Sequence, residues 1–334
     1  YWTAGESHGP ALVALVDGFP AGLSIDKDAI DAELRRRQGG YGRGGRQRIE
    51  TDGVTFLSGL WKGVTLGSPL ALEVINRDAK HERLDEVERP RPGHVDLAGA
   101  VKHLGGVRAV LERASARETA ARVAAGALAA QVLGQVGIEV RAWVSRIGTE
   151  EFAGEPGPEF SELRAASPFY SLDPEGDARA ASLVDRLRTA GDTVGGQFLV
   201  EARGVPAGLG SHAQWDRRLD GRLAAALMSI PAIKAVEIGA GIEAAWIPGL
   251  AFHDPIAPGP EGKFLRPTNR AGGIEGGITN GEALRCRATM KPIPSVRRPL
   301  ASVDLESGRP EPAVYERSDV CAVPAASVVG EAVV

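Results

Sequence analysis

The sequence predicts a mixed α/β protein built from two structurally similar halves. Three observations carry this. Short apolar or alternating runs that suit strands (11–17, 64–75, 138–147 and 197–202) are interleaved with segments of helical character (near 26–34, 115–136, 178–190 and 215–229). Short motifs then recur in the same order along the chain. GFPAG at 18–22 returns as GVPAG at 204–208, each after a strand and before a helix, and GVTLGSPL at 63–70 returns as GITNGEAL at 277–284, each opening a strand. RPGHVDLAGAVK from Arg91 is answered by RSDVCAVPAASVV from Arg317, which would make Arg91–His94 and Arg317–Asp319 quasi-equivalent sites. Finally, 334 residues with 43% hydrophobic content can bury a large core, as two domains or one.

Each element has its own local cause. The run ALVALVD at 11–17 is apolar and ends in turn residues, and Ser24 and Asp26 are N-cap candidates for a helix carrying Ala29, Ile30, Glu33 and Leu34. Residues 64–75 read as a strand with Pro69 near its start, and 77–91 as a highly charged connection. Ser115 and Glu118 have the spacing of a capping box opening an alanine-rich helix to about Val136, with Gly137 beyond it as C-cap. Alanines and Gly126 leave that helix little bulk, so it is either exposed or packed unusually close to its neighbours, and Val123, Leu128, Val132 and Leu133 favour burial. IEVRAWVSRI at 138–147 alternates as a strand does; 149–177, rich in Pro, Gly and acids, reads as a surface excursion. The two halves then span about 1–136 and 195–334.

Charge and composition exclude several classes. With 39 basic and 43 acidic residues the net charge is −4, which disfavours a dedicated duplex-DNA binder. No apolar run approaches the roughly 20 residues that cross a bilayer. Two cysteines, Cys286 and Cys321, make no disulfide framework and no four-ligand zinc site, which fits a reducing cytoplasm and residues used for packing. No histidine pair has metal-ligand spacing, and no metal is expected. The chain opens on Tyr1, so a short N-terminal piece is expected before it.

Basic character is concentrated in RRRQGGYGRGGRQR at 35–48, with six arginines, five glycines and no acid. Arginine forks match phosphate and carboxylate oxygens two at a time, and glycine lets backbone approach a ligand. Alone, the stretch suits a solvated basic loop, a nucleic-acid patch or a trap for a small anion. His8 lies in GESHGP, and His94 follows Pro92-Gly93 in a loop with Arg91, where a positive field would lower its proton affinity. KPIPS at 291–295 holds a lysine and a serine in a stiff loop, and AGGIEGGITNG at 271–281 reads as a wide glycine turn.

Taken together, GESHGPAL, RRRQGGYGRG, RPGHVD, RASARETAARVAAGA, GGIEGGITNGE, KPIPS and RSDVCAVPAA resemble the chorismate synthase family, in its order and almost end to end. The resemblance implies a single α/β (α+β sandwich) domain over 1–334 with internal pseudo-two-fold symmetry, usually a homotetramer. It implies a phosphate lyase that turns 5-enolpyruvylshikimate-3-phosphate into chorismate by 1,4-anti elimination, using reduced FMN without net redox change.

By the same carry-over, Ser7, Arg37, Arg43, Arg46, Arg91, Arg117 and Arg317 would hold the substrate. His8 and His94 look like the two acid histidines, one serving the departing phosphate and one the flavin, and Asp319 like the base. Flavin contacts would fall on Arg113, Ala114, Ser115, Pro231, Ala232, Gly276, Lys291, Pro292, Ile293, Pro294, Ser295 and Arg317. Relatives often carry Arg-His-Asp-Pro where this chain has Arg317-Ser318-Asp319-Val320, and an amide side chain where Pro231 stands. The last helix is expected to run on past Val334. No nicotinamide-binding motif is apparent, so NADPH is expected to act only indirectly, through an external flavin reductase.

Overall fold

The computed structural model describes residues 1–45, 49–260 and 264–334. Strands β1 (Trp2–Ala4), β2 (Ala11–Val16) and β3 (Val54–Ser58) form a sheet with β6 (Leu70–Ile75) in the order β1-β2-β6-β3. Between β3 and β6 lies a small hairpin of β4 (Leu60–Trp61) and β5 (Val64–Thr65). A second sheet has the order β10-β15-β9-β7-β8, from β7 (Glu139–Ile147), β8 (Glu150–Glu151), β9 (Gly196–Arg203), β10 (Ile233–Ile238) and β15 (Leu284–Met290). Every ladder in both sheets is antiparallel, which puts the fold at the α+β end of the expected class. The second half also carries short pairs: β11 (Ala257–Pro258) with β12 (Phe264–Leu265), β13 (Ile274–Glu275) with β14 (Ile278–Thr279), and β16 (Ala301–Val303) with β17 (Pro310–Pro312).

Helices fill the space between the two sheets. α1 (Lys27–Gln38) and α4 (Thr119–Gln135) lie against the first sheet, and α9 (Val323–Val333) lies against β7 and β9 of the second. α4 packs on α9, and one hydrophobic core runs through all four layers. Gly126 is the point of closest approach: a Cβ there would stand 2.2 Å from the Ala332 carbonyl oxygen. The small-residue face read from the sequence is what lets the two helix backbones meet. Asp26 caps α1, its carboxylate accepting from the Ala29 amide. α2 (Asp96–His103) and α3 (Val107–Ala114) pack on one another before α4, α5 (Phe160–Ala166) sets Phe160 against Trp143 of β7, α6 (Pro174–Ala190) lies against β8, and α7 (Leu219–Met228) packs on β10. α8 (Gly249–Phe252) is a single turn.

The sequence echoes correspond to repeated hydrogen bonds. In the first half Gly22 N donates to Thr65 O at 2.8 Å and Leu23 N to Thr65 Oγ1 at 2.9 Å, while Thr65 Oγ1 donates to Pro20 O at 2.7 Å. In the second, Gly208 N donates to Thr279 O at 2.9 Å, Leu209 N to Thr279 Oγ1 at 2.9 Å, and Thr279 Oγ1 to Pro206 O at 2.6 Å. The registers also coincide, Val16 opposite Leu70 and Ala202 opposite Leu284.

The third echo falls elsewhere. α9 takes the layer position of α4, and Arg317 stands six residues before Val323 just as Arg113 stands six before Thr119. By that spacing Arg317 pairs with Arg113, at the end of α3, rather than with Arg91, which lies before α2.

Other readings are corrected locally. The 64–75 run is two strands, broken at Gly67-Ser68-Pro69, because proline has no amide for a ladder. Ser115 caps a 3₁₀ turn at Ala116–Glu118 through the Arg117 amide, so no reciprocal box forms, and Glu118 pairs with Arg122 instead. The 149–177 stretch is not a bare excursion: Phe152, Phe160, Phe169 and Leu172 are buried, and Trp143 meets Phe160 edge to face.

Candidate active site

The last turn of α1 delivers Arg37, and the glycine-rich loop beyond it crosses to the segment that leads into α9. Gly42 makes the crossing possible. Its φ is +90°, a Cβ would lie 2.8 Å from that of Cys321, and its carbonyl accepts from the Val320 amide at 2.8 Å. This seam closes one side of a cavity of about 580 Å³. Ser7, His8, Arg37, Arg43, Arg91, His94, Arg117, Arg317 and Asp319 all line it, as do Ala114, Ser115, Pro231, Ala232, Lys291, Ile293, Pro294 and Ser295. An apolar wall faces the charges, built from Leu111, Ile230, Met290 and the first turns of α9 at Ala322, Ala325, Ala326 and Val329.

The arginines are held by carboxylates. Arg37 and Arg117 share the buried Asp52: Arg37 Nη2 donates to Oδ2 at 2.8 Å, and Arg117 Nη1 lies 2.7 Å from both oxygens. Arg117 Nε also donates to Asn76 Oδ1 at 2.7 Å. Burial pushes the Arg37 guanidinium down to about 10, with Asp52 opposing and the Arg117 charge adding to the fall. Arg91 forms a two-pronged pair with Asp96, Nε to Oδ2 at 2.8 Å and Nη2 to Oδ1 at 3.0 Å, and donates to Ser295 Oγ at 2.8 Å. Arg43 Nη1 donates to Asp319 Oδ2 at 2.5 Å, and Gly44 N to Oδ1 at 2.6 Å. The Nε groups of Arg37 and Arg43 are buried with no partner among the described residues. A buried N–H calls for an acceptor, which an anionic ligand would bring.

Each candidate histidine has its own buried carboxylate. His8 Nδ1 lies 3.0 Å from Glu112 Oε1, and the His8 amide donates to Oε2 at 2.9 Å. Burial works to raise the Glu112 carboxyl, but hydrogen bonds from His8 and the charges of His8 and Arg108 hold it below its ordinary value. His94 Nδ1 meets Asp96 Oδ1, and there too burial is outweighed, by hydrogen bonds from His94 and Arg91, so Asp96 stays well below the usual carboxylate range. The positive surroundings expected for His94 are thus only part of what it meets: Arg91 Nη2 stands 3.1 Å from His94 Nδ1, and Asp96 Oδ1 contacts both as a shared counter-charge. Ser7 Oγ donates to Ser115 Oγ at 3.1 Å, joining the GESH loop to the start of the long helix segment.

Several expected contacts lie outside the cavity wall. Arg113 turns away to donate to the carbonyls of Gly5 and Thr3 at 3.0 Å each, which ties β1 in place, and it borders a neighbouring recess of about 220 Å³. Gly276 forms the turn between β13 and β14, and Pro292 is not in the wall, because its neighbours Lys291 and Ile293 take those positions. Arg317 sits at the rim, 56% exposed and 3.9 Å from Asp78. Arg46 lies outside the described residues. Residues missed from the sequence are the counter-charges Asp52, Glu112 and Asp96. Asp96 closes the RPGHVD motif and could have been found there, whereas Asp52 and Glu112 carry no local signal. Cys321 and Cys286 are buried, which pushes each thiol up to about 12, and they serve as packing residues.

The family model for chorismate synthase matches residues 1–334. A chorismate synthase of Moorella thermoacetica is 54% identical over 348 residues, covering 100% of this chain and 90% of that protein. One from Geobacter metallireducens is 52% identical over 356 residues, covering 100% and 91%. A crystal structure of chorismate synthase superposes with a TM-score of 0.80 at 41% identity, covering 99% of this chain and 87% of the other. The chain belongs to the chorismate synthase family.

Proposed function

We infer that this cavity carries out the family's reaction, the 1,4-anti elimination of phosphate from 5-enolpyruvylshikimate-3-phosphate to give chorismate. The observation that carries the reading is the convergence of Arg37, Arg43, Arg91 and Arg117 with His8, His94 and Asp319 on one cavity, from segments spread between residues 8 and 319. The substrate bears a phosphate and two carboxylates. Each charge-assisted hydrogen bond to it contributes roughly 1.5 to 3 kcal/mol, so several arginines are needed to hold it out of water.

The chain's own groups divide the work. Arg37, Arg43, Arg91 and Arg117 bind and orient the anionic groups, with Ser7 beside them and Arg46 and Arg317 completing the set of cations. His8 and His94 supply protons, one toward the departing phosphate oxygen, where charge develops. Asp319 is the base that would assist transfer of the substrate's ring proton to the bound reduced flavin. Its carboxylate is occupied by Arg43 and Gly44, so an anion that takes Arg43 also frees the base.

Reduced FMN supplies the electron-rich partner the elimination requires, with no net oxidation. The residues fit it: the apolar wall at Ile230, Met290, Ala322 and Ala326 offers a face for a flat ring, and Lys291, Ser295, Ala114 and Ser115 offer polar contacts at its edge. The exposed Trp2 on β1 and Trp61 on the β4–β5 hairpin are apolar surface that a homotetramer would cover. We place the enzyme in the cytoplasm, with flavin reduced by an external reductase.

The test is anaerobic turnover of 5-enolpyruvylshikimate-3-phosphate with chemically reduced FMN, followed by chorismate absorbance. Chorismate should form with reduced FMN and not with oxidised FMN plus NADPH. Absence of chorismate in both arms rejects the function, and formation in the NADPH arm rejects the external reductant.

A further inference from the structure

Glu112 is 1% exposed, yet it stays charged. A buried carboxylate is expensive unless its oxygens are satisfied, and here the partners are unusually concentrated. Its side chain receives the His8 amide at 2.9 Å and faces His8 Nδ1 at 3.0 and 3.1 Å, and its backbone carbonyl receives the Ser7 amide at 2.9 Å. Arg108 Nη1 and His81 Nδ1 stand farther off, at 3.7 and 4.0 Å. A core-packing role would call for an apolar side chain at this point of α3. A charge aimed at one imidazole instead suggests control of that imidazole.

We propose that Glu112 is the positioning residue of His8: it accepts the Nδ1–H, fixes that tautomer and ring orientation, and leaves Nε2 as the nitrogen that exchanges protons in the cavity. An acceptor at Nδ1 also keeps the ring in place while Nε2 gives up and regains its proton. Asp96 meets His94 Nδ1 in the same way, but Arg91 claims both oxygens of Asp96 and neutralises it. Glu112 has no such two-pronged partner among the described residues, so its charge acts on His8 more fully. Among the described residues, Asp78 stands 3.8 Å from His8 Nε2, with Lys80 and Arg317 beside Asp78 at 3.1 and 3.9 Å.

The proposal rests on the reading of His8 as an acting residue, and the test separates the two. Glu112→Gln keeps size and an amide oxygen for the His8 amide, but its NH₂ turns toward Nδ1 and favours the opposite tautomer. Turnover should fall about 100-fold with KM changed less than threefold, in the range expected for a misplaced proton donor. The limb of the kcat profile that reports the acid should move to lower pH. In ¹⁵N-histidine-labelled protein without flavin or substrate, the His8 ring signals, assigned with His8→Asn, should pass from Nδ1–H to Nε2–H. In the His8→Asn background Glu112→Gln should cost nothing further. If His8→Asn loses turnover while Glu112→Gln leaves kcat and ring signals unchanged, or if the two losses simply add, the positioning role is overturned. If His8→Asn itself turns over normally, the reading of His8 is overturned instead.

Discussion

Arg43 and Asp319, 276 residues apart in the chain, close on each other at 2.5 Å in the cavity wall, one assigned to the substrate and the other to the proton it loses. Each therefore holds the other back until an anion arrives. Arg43→Ala is expected to raise KM roughly tenfold or more, the equivalent of one charge-assisted hydrogen bond. Asp319→Asn should lower kcat sharply while lowering KM, because the charge competing for Arg43 is gone. Steady-state kinetics on both variants check this, and a raised KM with intact kcat in Asp319→Asn would contradict it.

Asp52 is the common counter-charge of Arg37 and Arg117. Removing one partner of a buried ion pair leaves an uncompensated charge and costs about 3 to 5 kcal/mol. Asp52→Asn leaves two such arginines, so thermal unfolding should begin at clearly lower temperature, and added inorganic phosphate should recover more stability in this variant than in the parent chain. Equal melting curves would show that the arginines are balanced by other groups.

Asp96 and Glu112 are held below their ordinary values in the folded chain. Unfolding at low pH then takes up protons, so the stability they contribute is whole above about pH 4.5, near the unperturbed carboxyl values, and is lost progressively below it. Glu331 and Asp177, raised mainly by burial, pull the opposite way. Urea midpoints from pH 7 to pH 3 should fall, and fall less steeply for Asp96→Asn. A steeper fall in the variant would contradict the assignment.

Gly126 sits where α4 crosses α9, and α9 forms the apolar wall of the cavity. Gly126→Leu forces the helices apart, with an expected loss of about 1 to 3 kcal/mol and reduced turnover. Chemical denaturation and kcat, measured together, should change together.

Much of this architecture was legible in the sequence, and what was hidden has physical reasons. Caps and periodicity are local, so α1, α4, β7 and β9 could be read within a residue or a few, and the two GxPAG turns announced a repeated hydrogen-bond pattern later seen at Thr65 and Thr279. β10, α2 and α3 were missed because they are short, six residues for IKAVEI and eight for each helix, which gives periodicity little length to show itself. In the site, arginines and histidines stood out by type and clustering. Their counter-ions did not, because Asp52 reaches Arg117 across 65 residues and Glu112 reaches His8 across 104, and nothing local to an aspartate or glutamate says what it will face once folded.

The central claim is that one cavity binds a multiply charged substrate and eliminates phosphate with flavin that is not consumed. The most direct measurement is the number of chorismate molecules formed per molecule of prereduced FMN, under anaerobic conditions with no further reductant. Many turnovers per flavin, with one phosphate released per chorismate, is the predicted result. One chorismate or fewer per flavin, with oxidised FMN accumulating, would contradict it.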